Sequence, residues 1–149
     1  MGDQPKFFDL LPSTASGQGN AYNPLYRFGF GLSYTTFQTS ALSATGSVSR
    51  TGAVTVNFTV TNTGSRAGTD IVPVYVHQPL SQVIAPPQRL VGFTRVDLDP
   101  GQSKTMQVTF QVSQLAVTPG DIEASGRPQV ETGSYQVHVE GLSAGFVVT

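Results

Sequence analysis

The sequence predicts an all-β protein, an antiparallel β-sandwich preceded by an irregular N-terminal leader. Three observations point to this fold class. From Val54 onward apolar and polar residues alternate over several short segments, and clusters of Gly, Pro, Asn and Asp separate those segments. No segment shows the 3.6-residue period of an amphipathic helix. A chain of 149 residues can bury roughly two-thirds of its unfolded surface in such a fold.

The first element in chain order, Asp3–Tyr26, has the composition of a connector. It contains three prolines and the Ser-, Gly- and Asn-rich run Ser13–Asn20, and it has no sustained periodicity. It also carries aromatic residues, which a free linker does not need. We therefore expect this leader to lie across a protein surface.

Arg27–Phe37 is the predicted hinge between the leader and the β domain. Gly29 and Gly31 stand between aromatic residues, and the backbone freedom of glycine opposes a regular helix. Thr35–Phe37 has the β-branched and aromatic character of an opening strand. The sequence thus predicts a leader over residues 1–35 and a sandwich over residues 36–149. The candidate domain-docking residues are Phe7, Phe8, Tyr22, Tyr26, Phe28, Phe30 and Tyr34.

The clearest predicted strand is Val54–Thr61, where apolar residues at even positions alternate with polar residues at odd positions. Asn62–Gly68 follows with turn chemistry, and its glycines suit positive φ angles. Ile71–His77 is apolar on both faces, which predicts a more central strand. Pro73 is the anomaly in it, because proline donates no ladder hydrogen bond, and it predicts an edge position or a bulge.

The second half of the chain contains further strands separated by loops. Pro79–Gln88 predicts a long loop, Asp99–Gln102 a tight turn, and Ser113–Thr132 no regular element. About seven short strands with turns between them favour a sandwich of the immunoglobulin or fibronectin type III kind. The further strands are predicted at Arg89–Leu98, Met106–Val112, Tyr135–Val139 and Phe146–Val148.

Composition argues against several classes of function. The formal net charge is −1 and the Lys and Arg residues are scattered, so we expect that the chain binds neither nucleic acid nor an anionic membrane surface. The sequence has no cysteine and therefore no disulfide, thiol nucleophile or cysteine-based metal site. No apolar run approaches the roughly 20 residues of a membrane span, and Met1–Pro5 lacks the basic start of a signal peptide. We expect a soluble chain without a cofactor, and its localisation is left open.

Several segments together resemble one known family. Leu25–Thr35 is similar to the segment that enters the C-terminal fibronectin type III-like domain of glycoside hydrolase family 3, the β-glucosidases and β-xylosidases. Arg27 stands where that family usually has Pro, and Pro73 also departs from the family's pattern. Segments that resemble their counterparts in that domain, in the same order, are Val60–Gly68, Val74–Val76, Leu90–Phe93, Leu98–Ser103 and Thr132–Val137.

The resemblance implies a non-catalytic accessory module. In the family the nucleophile, an Asp followed by Trp, lies in an N-terminal barrel domain, and the acid/base Glu usually lies in an α/β sandwich domain. This chain has no Trp and is too short for either domain, so no catalytic residue is transferred to it. The implied partners are the catalytic domains of the same enzyme, which is expected to be secreted or periplasmic. The alternative is that the module binds polysaccharide or a partner by itself.

Two pairs of carboxylates are candidates for glycoside hydrolysis, which needs two such groups roughly 5–5.5 Å apart for retention of configuration. Asp121 and Glu123 lie in a Gly- and Pro-rich stretch without an aromatic residue for a sugar, which favours a solvated loop. Asp97 and Asp99 are more simply explained as turn residues. The sequence therefore assigns no catalytic residue, and it assigns no cofactor-binding or metal-ligating residue either.

The remaining polar candidates also have simpler interpretations. His77 and His138 are predicted to face outward from strands, and two histidines so distant in sequence are weak evidence for a metal site. A Ser–His–Asp arrangement using Asp70 lacks a nucleophile-elbow sequence. Asn57–Thr59 matches the N-glycosylation pattern but lies mid-strand, so we expect no modification. Tyr135 shares a face with valines and is predicted to be core.

Overall fold

Eight strands and one short helix form the part of the chain that the computed structural model describes, residues 31–81, 83, 86–118 and 126–149. A 3-10 helix, Val112–Leu115, follows the sixth strand. An isolated bridge joins Val117 to Gln129 within Ser113–Thr132, where the sequence predicts no regular element. The strands are β1 (Phe37–Ala44), β2 (Ser47–Val48), β3 (Ala53–Asn62), β4 (Gly68–His77), β5 (Arg89–Leu98), β6 (Ser103–Gln111), β7 (Gly133–Val139) and β8 (Leu142–Val148).

The strands form two sheets. The three-stranded sheet has the order β1-β3-β6, and the five-stranded sheet has the order β2-β8-β7-β4-β5. The pairs that join neighbouring strands are antiparallel, apart from the short pair of β2 with β8, which is parallel. The predicted all-β sandwich is confirmed.

The alternation seen in the sequence decides which side chains form the core. The apolar positions of β3 are fully buried in one cluster with those of β4, so the inner faces of the two sheets pack together. Tyr135 stacks on Phe146 at 5.3 Å, and Phe110 meets Phe146 edge-on at 6.1 Å, which places an aromatic cluster in this core. The Tyr135 hydroxyl donates to the Glu131 carbonyl at 2.8 Å, so its polar end is satisfied. The prediction that Tyr135 is core is confirmed.

β4 shows why a proline is tolerated inside the five-stranded sheet. Its pairing with β5 extends from Gly68 to Val76, whereas its pairing with β7 covers only Tyr75–His77. Pro73 therefore lies in a stretch with a neighbour on one side only, and the register with β5 shifts between Val74 and Tyr75. A missing N–H is tolerated at such a position. The predicted edge position or bulge is confirmed.

Candidate interaction surfaces

A buried cluster joins the start of the sandwich to the turn after β3. The Thr35 hydroxyl donates to Asn62 Oδ1 at 2.8 Å, and the backbone N–H of Gly64 donates to the same oxygen at 3.0 Å. Asn62 Nδ2 donates to the carbonyls of Arg66 at 2.7 Å and Leu98 at 3.1 Å. Asn62 is fully buried, so these four hydrogen bonds supply the partners its amide requires. We call this cluster the Asn62 clamp: Thr35, Asn62, Gly64 and Gly68.

The two glycines of the Asn62 clamp make room for Thr35. A Cβ built on Gly64 would lie 2.2 Å from Thr35 Oγ1, and one on Gly68 would lie 2.6 Å from Thr35 Cγ2. Neither glycine has a positive φ, so the expectation that the glycines of this turn serve positive φ angles is wrong. They are needed because the backbone of the turn passes close to a side chain 29 and 33 residues earlier.

Tyr34 is the candidate docking residue that the structure describes, and it directly precedes the Asn62 clamp. Its side chain is 95% exposed while its neighbour Thr35 is buried. A fixed backbone thus presents an aromatic ring to solvent, and a docking role for Tyr34 stays a prediction. The other candidates lie outside the described residues: Phe7, Phe8, Tyr22, Tyr26, Phe28 and Phe30.

The outer face of the three-stranded sheet is polar. The odd positions of β3 point away from the core and pair with hydroxyl and amide side chains of β6. Asn57 accepts a hydrogen bond from Gln107 in this row, as its predicted place on the polar face requires. We call this surface the threonine face, after the hydroxyl pairs Thr55–Thr109 at 3.2 Å, Thr59–Thr105 at 3.3 Å and Thr61–Ser103 at 2.7 Å.

The outer face of the five-stranded sheet carries exposed apolar side chains on two neighbouring strands. Ile71 is 61% and Phe93 68% exposed. The register places Pro73 opposite Phe93 and Tyr75 opposite Leu90, so the side chains are contiguous. The prediction of a central strand holds for the strand order, but the apolar outer face of β4 is not covered by the described residues. We call this surface the β4–β5 apolar face: Ile71, Pro73, Tyr75, Leu90 and Phe93.

Polar groups border the β4–β5 apolar face at one end. Arg95, which pairs with Ile71 in the register, lies 3.2 Å from Asp97 in an ion pair. The Thr69 hydroxyl also donates to Asp97, and the hydrogen bonds from Thr69 and Arg95 lower the pKa of this carboxyl group. Asp99 instead closes the turn after β5, where its carbonyl accepts from the N–H of Gln102 at 3.0 Å.

The two histidines meet near the other end of this face. The rings of His77 and His138 are 6.2 Å apart, a proximity that their distance in sequence did not reveal. His77 Nδ1 lies 2.7 Å from the carbonyl of Pro87, so it donates its hydrogen there. Burial and the neighbouring His77 lower the pKa of His138. The described part of the chain holds no group of three or more His, Cys, Asp or Glu suited to a metal ion.

Asp70 is a half-buried carboxylate with an unmet hydrogen bond. Its Oδ2 atom is buried without a partner among the described residues. Burial, and then the charge of Glu140, raise the pKa of Asp70. Asp70 and His77 do not form part of a Ser–His–Asp arrangement, because His77 lies seven positions farther along strand β4, about 23 Å away.

Two further features complete the described surface. An open groove of about 370 Å³ has a described lining of polar and aliphatic side chains, without the aromatic ring that stacks on a sugar. The residues that line this groove are Arg50, Leu80, Ser81, Val117, Gln129, Val130, Glu131 and Thr132.

Among the described residues no helix is long and apolar enough to cross a membrane. Asp121 and Glu123, the other candidate carboxylate pair, lie outside the described residues.

Comparison with known families gives one domain match. The sequence profile of the family described as "Fibronectin type III-like domain" matches residues 70–143, from within β4 to the start of β8. The matched stretch includes both strands of the β4–β5 apolar face.

Relatives of known name extend this match. β-Glucosidase B of Emericella nidulans is 39% identical over 122 residues, which are 82% of this chain and 14% of that protein. The periplasmic β-glucosidase of Salmonella typhimurium is 38% identical over 96 residues, 64% of this chain and 12% of that protein. The crystal structure of a GH3 β-glucosidase from Bifidobacterium adolescentis matches with a TM-score of 0.74 at 30% identity, over 83% of this chain and 18% of that one. The chain thus spans only about one seventh of the length of such relatives.

Proposed function

Because the chain belongs to the fibronectin type III-like domains found in family 3 β-glucosidases, we propose that it serves such an enzyme as a non-catalytic module that packs on the catalytic domains and stabilises them. One observation carries this proposal. The match to β-glucosidase B takes in 82% of this chain but only 14% of that protein. The chain therefore corresponds to one module, and the rest of such an enzyme supplies the remaining domains.

The described carboxylates support a non-catalytic role. Glycoside hydrolysis needs a pair of carboxyl groups facing each other across a sugar site. Asp97 is held by Arg95 and Thr69 at the end of a strand, and Asp99 belongs to a turn. Burial, and then the charge of Glu140, raise the pKa of Asp70, as a general acid requires, but the Glu140 carboxylate is held by a hydrogen bond from the Thr39 hydroxyl.

The proposal extends to the whole enzyme in which this module works. We infer that its catalytic domains hydrolyse β-glucosides, as the names of the relatives state for those proteins. We also infer a periplasmic or secreted location, which the periplasmic relative supports. Residues 1–35 would then be the leader that connects a preceding domain to the sandwich over residues 36–149.

An activity measurement tests the non-catalytic role. The purified chain is expected not to hydrolyse aryl β-glucosides or aryl β-xylosides above a buffer blank. Turnover that disappears in Asp121→Ala or Glu123→Ala would overturn the proposal, because it would place a catalytic pair in this module. Asp99→Ala is the matched control, since it removes a carboxylate that the turn explains.

A further inference from the structure

We propose that the β4–β5 apolar face is the surface through which this module packs against the catalytic part of its enzyme. The inference rests on the proposed function and adds to it the contact surface and the chemistry of the partner. The partner's contacting surface would be apolar at its centre, because the module offers mainly aliphatic and aromatic carbon there.

The contrast with the threonine face is the first argument. On the threonine face, the outward side chains of neighbouring strands hydrogen-bond to one another, so that surface is satisfied in water. On the β4–β5 apolar face, Ile71 and Phe93 are more than half exposed, and Pro73 stands directly opposite Phe93. Contiguous exposed apolar side chains bordered by polar residues mark interaction sites. The threonine face is therefore suited to contact with water, whereas the β4–β5 apolar face is suited to contact with another apolar surface.

The border of the β4–β5 apolar face is the second argument. An interface typically has an apolar centre and a polar rim that stays in contact with water. Arg95 and Asp97 form such a rim at one end, and His77 and His138 form it near the other. The Arg95–Asp97 pair is complete within the module, so the partner need not supply a charge at this place.

The composition of the face decides between a protein and a polysaccharide as its occupant. A sugar site combines a flat aromatic platform with hydrogen-bonding groups for the hydroxyls. Two of the five side chains, Tyr75 and Phe93, are aromatic, but Ile71, Pro73 and Leu90 between and beside them are aliphatic. The charged groups at the border, Arg95 and Asp97, already bind each other. Packing against an apolar protein surface needs no free hydrogen-bonding groups, so a protein is the better match.

The catalytic part of the same enzyme is the protein that best fits as occupant. In the matched relatives, the region corresponding to this chain is only about one seventh of the polypeptide, so most of the enzyme is available as a covalently linked partner. Covalent linkage gives such a partner an effective concentration of millimolar order. A free partner, or a second copy of this chain, has no such advantage.

Covalent footprinting with a carbene reagent tests the surface directly. The free chain and the whole enzyme that contains it are labelled under the same conditions, and labelling is read at Phe93 and Ile71 and, as the control, on Thr105 of the threonine face. We expect labelling of Phe93 and Ile71 to fall about fivefold or more in the enzyme, as burial of side chains this exposed implies. Thr105 should be labelled equally in both.

A pair of matched variants gives a second readout in the whole enzyme. Phe93→Asp and Thr105→Asp each place a carboxylate on an outer strand face, and both free chains should keep their wild-type melting temperature. In the enzyme, Phe93→Asp should speed release of the module by limited proteolysis about tenfold, because it puts an unpaired charge into the contact. Thr105→Asp should leave that rate within about twofold of the wild type.

The outcomes separate this inference from the proposed function. Protection of Thr105 but not of Phe93 overturns the inference and leaves the packing role intact. Protection of neither face also overturns the inference, and the packing role itself falls if no other described residue of the module, Tyr34 included, is protected in the enzyme. Low labelling of Phe93 already in the free chain also overturns the inference. If that protection does not depend on protein concentration, the chain's own residues 1–30 cover the face. If it increases with protein concentration, a second copy of the chain covers it. Protection of the free chain only with soluble β-glucan would assign it to a polysaccharide.

Discussion

At the Asn62 clamp each polar atom of a buried amide finds its partner inside the chain, whereas the β4–β5 apolar face leaves Ile71 and Phe93 largely in solvent. The hydrogen bonds of the first region all form when the chain itself folds. The second gains less from folding alone, because water still reaches more than half of the Ile71 and Phe93 side chains.

Two motifs that both resemble the family in sequence therefore differ in whether their side chains find partners within the chain. The Asn62–Gly68 turn and Leu90–Phe93 both resemble family motifs, and the first explains how the sandwich closes on Thr35. In the second, Val91 and Gly92 pack into the sandwich, whereas Leu90 and Phe93 stay exposed. Substitutions in the first region should therefore change the stability of the isolated chain. Substitutions of the exposed Leu90 and Phe93 should act chiefly when the rest of the enzyme is present.

The largest expected effect compares an inward with an outward phenylalanine. Phe58 is 1% exposed and Phe93 68% exposed. Phe58→Ala should lower the free energy of unfolding of the isolated chain by about 3–5 kcal/mol, through lost burial and the cavity left behind. Phe93→Ala should change it by less than about 0.5 kcal/mol. Urea denaturation of the two variants checks this, and a loss above about 2 kcal/mol for Phe93→Ala would show that the apolar face is already covered in the free chain.

The next effect concerns the centre of the Asn62 clamp. Asn62→Ala should cost about 2–4 kcal/mol of stability, because the carbonyls of Arg66 and Leu98 and the N–H of Gly64 all lose their partner. Asn57→Ala is the matched control, since it removes an exposed amide with one cross-strand partner and should cost less than about 0.5 kcal/mol. Equal losses in the two variants would contradict the assignment of the clamp as a closed network.

A smaller effect tests the role given to glycine in the clamp. Gly64→Ala should destabilise the chain by about 1–3 kcal/mol, because its Cβ would lie 2.2 Å from Thr35 Oγ1. Gly46→Ala is the control, since no atom lies within 4 Å of its Cβ position. In a Thr35→Ala background the cost of Gly64→Ala should fall, which a double-mutant cycle measures. Strictly additive effects would mean that the clash with Thr35 is not the cause.

The smallest effect tests the Asp70 carboxylate, whose Oδ2 atom has no hydrogen-bond partner among the described residues. The pKa of Asp70 is raised above its ordinary 3.8 by burial, so the folded protein binds this proton more tightly than the unfolded chain. The cost of ionising Asp70 is absent below about pH 3.8 and grows as the pH rises through the raised pKa. Asp70→Asn should therefore raise the melting temperature slightly at pH 7 and leave the difference near zero at pH 3. A variant less stable than the wild type at pH 7 would indicate a partner for the carboxylate.

Most of the fold could be predicted from the sequence because the strand period is a local property. The alternation in Val54–Thr61 names the core side chains of β3 directly, and Asp99–Gln102 names the turn after β5. The irregular position of Pro73 could also be predicted from the sequence, because proline has no backbone N–H and cannot donate a hydrogen bond between strands. The family motifs added the identity of the domain, which periodicity alone does not give.

The interaction surfaces depend on contacts between residues far apart in the chain, and only the tertiary structure decides those. Thr35 and Asn62 are 27 residues apart, and His77 and His138 meet only because β4 lies beside β7. Within Ile71–His77 the sequence shows two apolar faces but not which one is covered, because coverage depends on sheet order and on what packs over the sheet. The sequence therefore determined most of the strands and, where apolar and polar residues alternate, their buried face. The sheet order decided which apolar residues were left for a partner.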